Sequence, residues 1–415
     1  MDKDTTTTTF KEALHPLNIT KILQEFLGLD RYVKKFTFEK WVALMIFAQI
    51  EQIPSGKQLA LKLNNKEELQ KCLNLSSISA SQLSRRSRTI DSDVNQALFT
   101  DVVSRMKREI HPRDRLQVMS PIYLVDASII PLCLSLCRWA TYRPKQGKGG
   151  LKIHMKVACL PDGTAPEDAV LKPAIHADRT EMNELITEEG ALYLFDRGYN
   201  DYEAFDRYCD PDINIRFITR VKSNAVFDVI EELPVNPDGP ITRHARIRLG
   251  GGKKKMKHPL RLIETHDSEG NLIQLITNDK AYETEDLGEL YRKRWHIELF
   301  FKWAKQHLQI QSFYGTSPNA VYNQIWMALI TYCLLRLLQA RTGCTQSLFH
   351  LLLCVRDNCF KPFQELVKHL HRKPTRTSKG RQRSDPEREF RRFVELVEKE
   401  GMESAEALYA DIHCG

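Results

Sequence analysis

Apolar residues recur at helical spacing through 22–29, 41–50 and 94–106, with Pro54-Ser55-Gly56 as a break, so residues 1–115 are expected to form an all-α N-terminal domain. From 116 onward the pattern shortens to apolar runs separated by turns. Residues 121–130 (PIYLVDASII), 150–160 (GLKIHMKVACL) and 169–174 (AVLKPA) predict three strands, followed by a helix over about 179–188. A fourth strand is expected at 191–199 (ALYLFDRGY), then a short helix (YEAFDRYC) and a fifth strand at 213–222 (INIRFITRVK). Three antiparallel strands, helix, strand, helix, strand is the order of an RNase H-like fold. The expected class is α/β, a mixed sheet with flanking helices.

Between 226 and 279, alternating strands, the Gly250-Gly251-Gly252 turn and the run Lys253-Lys254-Lys255-Met256-Lys257 predict a β-rich insertion with a basic rim. After it, Thr284, Glu285 and Asp286 suit a helix N-terminus, and 291–305 (YRKRWHIELFFKWAK) reads as one helix without Pro or Gly. Apolar helices are expected at 320–341 and 347–357, a basic linker at 371–383 and a last amphipathic helix at 386–398. The expected division is a helical DNA-binding domain at 1–115, a catalytic core split between 116–225 and 280–345, the insertion at 226–279 and a helical C-terminal region at 346–415.

Charge narrows the picture only modestly. The 61 Lys and Arg against 53 Asp and Glu leave a net charge of +8, which suits a polyanionic partner. Ten cysteines form no C-x2-C pair, which argues against a structural zinc site. The polar start and the lack of an 18-residue apolar run lead to the expectation of a cytoplasmic protein with reduced thiols and no membrane partner. Within the helical domain, 77–89 offers a serine cap followed by Gln82, Arg85, Arg86 and Arg88, compatible with a groove-reading helix as well as with a solvated basic one.

On the 291–305 helix, Tyr291, Arg294, Glu298 and Lys305 fall within a stripe roughly 60° wide, with Lys302 at its edge. Arg294 and Glu298 alone could be an ordinary surface pair, worth about 0.3 kcal/mol. Asp126 interrupts an apolar strand, and Asp196 ends another, where a charge is costly unless paired or metal-bound. With Glu298 they make three carboxylates of one domain that could converge on two divalent cations, Mg or Mn by the hardness of the oxygen ligands.

The spacing Tyr291-x2-Arg294-x3-Glu298-x6-Lys305 is similar to the YREK signature of IS4-family bacterial transposases, and Asp196-Arg197-Gly198-Tyr199 resembles the D-x-G-Y/F element of that family. Asp126 stands where the first catalytic Asp would be, and the resemblance spans about 120–310. It implies an RNase H-like core with a β insertion and a Mg-dependent DDE triad of Asp126, Asp196 and Glu298. It also implies Tyr291, Arg294 and Lys305 on DNA phosphates, and cut-and-paste transposition through hairpin ends by a dimer that synapses two transposon ends before joining them to target DNA. One departure weakens the hairpin expectation: residues 226–279 contain no Trp to hold a flipped base, and Phe227 is poorly placed to replace it. The rival expectation is a non-catalytic DNA-binding repressor of the same fold. His154, His176 and Asp178 form a lesser candidate for metal or acid–base work, while Asp162 and Asp201 read as turn residues.

Overall fold

The computed structural model describes residues 7–110, 120–143, 146, 148–160, 163–252, 255–266 and 270–372. The chain opens with helices α1 (Thr9–Leu14), α2 (Ile19–Glu25), α3 (Phe38–Ile50), α4 (Gly56–Asn65), α5 (Glu67–Leu73), α6 (Ala80–Thr89) and α7 (Ser92–Ile110). Their starts follow local chemistry. Ser55 accepts the Gln58 N–H before α4, and Ser79 with Gln82 closes a reciprocal capping box on α6.

Strands β1 (Ile122–Leu132), β2 (Thr141–Arg143), β3 (Lys148–Leu160) and β4 (Gly163–Pro173) come next, and the expected third strand thus starts well before residue 169. The predicted helix at 179–188 is shorter than expected: a 3-10 turn runs into α8 (Met182–Leu185), and the chain leaves helical geometry at Ile186, with φ −100° and ψ 86°. Glu188 then donates its backbone N–H to the Tyr193 hydroxyl at 2.8 Å. Strand β5 (Leu192–Phe195), helix α9 (Tyr202–Tyr208) and strand β6 (Arg216–Arg220) follow. β1 pairs antiparallel with β3, β3 antiparallel with β4, and β5 runs parallel to both β1 and β6. The order β4-β3-β1-β5-β6 with those directions is the RNase H-like sheet.

Strands β7 (Phe227–Leu233), β8 (Ile241–Leu249), β9 (Leu260–His266) and β10 (Leu272–Thr277) continue that sheet, because β10 returns to pair antiparallel with β6. The 291–305 helix is split by a tight turn into α10 (Thr284–Arg292) and α11 (Trp295–His307). The Arg294, His296 and Ile297 N–H groups bond to carbonyls three residues back, at 3.0 to 3.2 Å.

Helix α12 (Pro318–Thr342) begins with the Ser317 cap and Pro318 at its first position and ends at Gly343, whose φ of +62° supplies the left-handed C-cap. It is buried without a break from Asn323 to Leu338. Although long and apolar enough to cross a membrane, its most apolar window is 94% buried inside the protein, where it packs on α7, α3 and β4. Helices α13 (Leu348–Asp357) and α14 (Phe363–Leu370) complete the described chain. The expected terminal helix at 386–398, most of the basic linker, Asp162, Lys253 and Lys254 lie outside the described residues.

Candidate active site

Asp126 sits in the middle of β1, and Asp196 directly follows the last residue of β5. The parallel register pairs Val125 with Phe195, so the two aspartates occupy the next level of neighbouring strands. Ala127 donates its N–H to Asp126 Oδ1 at 2.7 Å, and Gly198 donates its N–H to Asp196 Oδ2 at 3.3 Å. Gly198 also permits crowding: a Cβ there would stand 3.2 Å from Asp178 Oδ2 and 3.7 Å from Asp196 Oδ2. The third carboxylate comes from α11, which packs against β1 and β4.

Arg294 is the joint of the site. Its Nη1 donates to Asp126 Oδ2 at 3.2 Å and its Nη2 to Glu298 Oε1 at 3.0 Å. The guanidinium carbon lies 4.9 Å from the Trp295 ring centroid and 5.8 Å from that of Tyr291, and the residue is only 6% exposed. Arg294 stands at the start of α11, one turn before Glu298, and from there reaches both carboxylates.

Burial pushes the Asp126 carboxyl up to about 6 against the pull of Arg294, and pushes Glu298 up to about 7 in the same way. Asp196 raises both further. Burial also works against the Arg294 charge, yet Tyr291, Asp126, Glu298 and Asp196 outweigh it and hold the guanidinium more firmly protonated than usual. Burial pushes the Tyr291 hydroxyl up to about 12. The acidic groups have folded-state values above their unfolded ones, so the folded state binds protons more readily between about pH 4 and 7. Without metal, their contribution to stability is therefore expected to fall as pH rises through that window and level off above it. Thermal melts from pH 4 to 8 in EDTA test this: Glu298→Gln should flatten the decline, and an unchanged slope would contradict it.

Three carboxylates are the oxygen donors that a hard divalent cation prefers, and burial makes Asp126 and Glu298 costly to hold ionised without a cation beside them. As the side chains stand, no three His, Cys, Asp or Glu among the described residues gather tightly enough to enclose one ion. Arg294 occupies the gap between Asp126 and Glu298. The donor set thus fits such an ion in kind, and taking one up requires the guanidinium to yield.

The remaining candidates separate. Lys305, two turns beyond Glu298, and Lys302 are half-buried on α11. Arg85 is exposed on α6, whereas Arg86 turns inward to pair with Asp30 and donates to the Leu29 carbonyl at 3.2 Å. Lys255 is exposed and paired with Asp228. His154 is fully buried, with Nδ1 3.1 Å from the Tyr199 hydroxyl, and burial lowers its pKa to about 4. His176 offers its backbone carbonyl rather than its ring, to Lys152 Nζ at 3.0 Å, and the same ammonium holds Asp178 Oδ1 at 2.9 Å. The proximity of Asp178 to Asp196 was not evident from the sequence, where Asp178 was grouped with His154 and His176. Asp201 caps α9, accepting from the Glu203 and Ala204 N–H groups.

Residues 119–334 match a family model described as the transposase DDE domain. A protein of Sinorhizobium fredii named as a transposase is 32% identical over 246 residues, covering 58% of this chain and 67% of its own. A transposase named for insertion sequence element IS5377 of Geobacillus stearothermophilus is 25% identical over 344 residues, covering 82% and 87%. One named for element IS4SA of Synechocystis is 24% identical over 319 residues, covering 74% and 84%. Among solved structures, a piggyBac transposase synaptic complex with hairpin DNA aligns at a TM-score of 0.45 and 12% identity, covering 91% of this chain and 87% of that one.

Proposed function

The chain belongs to the DDE transposases, and on that premise we propose that it cleaves and joins the ends of an insertion sequence at a site built from Asp126, Asp196 and Glu298. The observation that carries this reading is the buried guanidinium of Arg294, which ties Asp126 to Glu298 beside the strand end that bears Asp196. The three carboxylates would hold two Mg or Mn ions. Such a pair, when bound, activates an attacking water or 3′-hydroxyl and neutralises the leaving oxygen of a phosphodiester.

The protein's own groups supply placement. Arg294, with its planar fork, is suited to release a carboxylate and donate to a phosphate oxygen in its stead, with the Tyr291 and Trp295 rings beside the guanidinium. Lys305 and Lys302 extend the same helix face toward the backbone of the bound strand. The reading includes recognition of terminal inverted repeats, a homodimer that brings two ends together, joining to target DNA and work in the bacterial cytoplasm. The hairpin route has less support, since the β7–β10 region offers no Trp.

A duplex carrying the element's own terminal repeats, incubated with protein and Mg or Mn, should be cut at the repeat boundary and joined to a second DNA. EDTA should stop both. Tight binding of the repeats without cleavage in either metal would overturn this reading in favour of a repressor.

A further inference from the structure

A groove of about 550 Å³ lies away from the carboxylates, between the start of α4, one face of α6 and the loop that follows α11. Ser81, Ser84, Arg85 and Arg88 line it from α6, at offsets 0, 3, 4 and 7, a stripe roughly 100° wide on one helix face. Lys57 and Tyr314 face that stripe from the other walls. Lys57, Arg85 and Arg88 are exposed, none has a carboxylate partner among the described residues, and no acidic residue lines the groove.

The walls are fixed. Ser87, on the opposite face of α6, accepts from Trp41 Nε1 at 3.0 Å, and its carbonyl accepts from Asn323 Nδ2 at 3.1 Å. The Tyr314 hydroxyl donates to the Ile53 carbonyl at 2.6 Å, and its backbone N–H donates to Gln324 Oε1 at 2.9 Å. The basic residues of α6 therefore divide: Arg86 anchors the helix to Asp30, and Arg85 and Arg88 stay open toward the groove. Unpaired cations and short hydroxyl donors on a rigid concave wall suit phosphate oxygens, which lie at regular intervals along a duplex.

We propose that this groove holds the sugar–phosphate backbone of duplex DNA as a second contact, apart from the cleavage site. The partner class rests on the reading above that the chain acts on DNA. Glu298 lies nine residues before the end of α11 at His307, about 14 Å along the axis, and the groove wall follows that end.

The test is anisotropy of a labelled duplex of random sequence, in EDTA so that the carboxylates play no part. Arg85→Gln with Arg88→Gln should weaken binding on the order of tenfold at 0.1 M salt, and the salt slope should become shallower by about 2. Lys57→Gln should give a smaller loss of the same kind. Lys71→Gln with Lys368→Gln, the same charge change outside the groove, should stay within about twofold. Wild-type affinity and slope in the double Arg variant would overturn the proposal, as would an equal loss in the outside variant. Inorganic phosphate bound by wild type, with duplex binding unaffected by the groove substitutions, would also overturn it. Unfolding is excluded by matching melting temperatures, since all the substituted side chains are exposed. A groove-dependent duplex contact in a protein that never cleaves DNA would sustain this inference and sink the nuclease reading, and the reverse pattern would do the opposite.

Discussion

Glu298→Gln is expected to lower metal-dependent cleavage of end DNA by about a thousandfold or more while leaving DNA binding within a few fold. Glutamine keeps an oxygen that can still accept from Arg294 Nη2, now at 3.0 Å, so the helix junction and the Trp295 and Tyr291 packing around the guanidinium should persist. What disappears is the negative charge on which a divalent ion depends. Because burial already pushes Glu298 up to about 7, the carboxylate is costly to hold ionised, and its neutral replacement should be as stable as wild type or more so at pH 8. Asp126→Asn should be as inactive but less clean, since its one carbonyl oxygen must serve either the Ala127 N–H or Arg294, and the carboxylate now serves both. Cleavage assays and melts on the same preparations decide the matter. Near wild-type cutting by Glu298→Gln would remove Glu298 from the site, and a large fall in melting temperature would make its role structural.

Some of this was legible along the chain, for a physical reason in each case. A strand buried on both faces reads as an unbroken apolar run, so Asp126 in YLVDAS stood out as an interruption, and the strand order followed from runs of that kind. The stripe of Tyr291, Arg294 and Glu298 was visible at helical period, yet the break between α10 and α11 was not, because a 3-10 junction needs neither Gly nor Pro and barely turns the face. Arg86 could not be told from Arg85, since its partner Asp30 is 56 residues away in the chain. For the same reason Asp178, grouped along the chain with His154 and His176, could not be placed beside Asp196, and the helix expected at 179–188 failed because Tyr193, a strand residue, takes the backbone N–H groups that would have continued it. Contacts that cross the fold leave no periodic trace.

The largest expected loss of stability is that of Arg294→Ala. The wild-type guanidinium is 6% exposed and compensates two part-buried carboxylates, so its removal leaves like charges facing each other and should cost about 3 kcal/mol or more at pH 8. The sign with pH follows from the acids. Without the cation, the folded-state pKa values of Asp126 and Glu298 climb further above their unfolded values, so the variant loses stability as pH rises from about 4 through the new folded values. Near pH 5 both groups are largely protonated in the folded state, and the deficit against wild type should shrink there. Millimolar Mg should also narrow it at pH 8, because a divalent ion can take the place the guanidinium held between the two carboxylates. Melting temperatures at pH 5 and pH 8, with and without Mg, read all three effects. A deficit equal at both pH values and untouched by Mg would mean that Arg294 stabilises the fold through its packing on Trp295 and Tyr291, with no electrostatic share in the site.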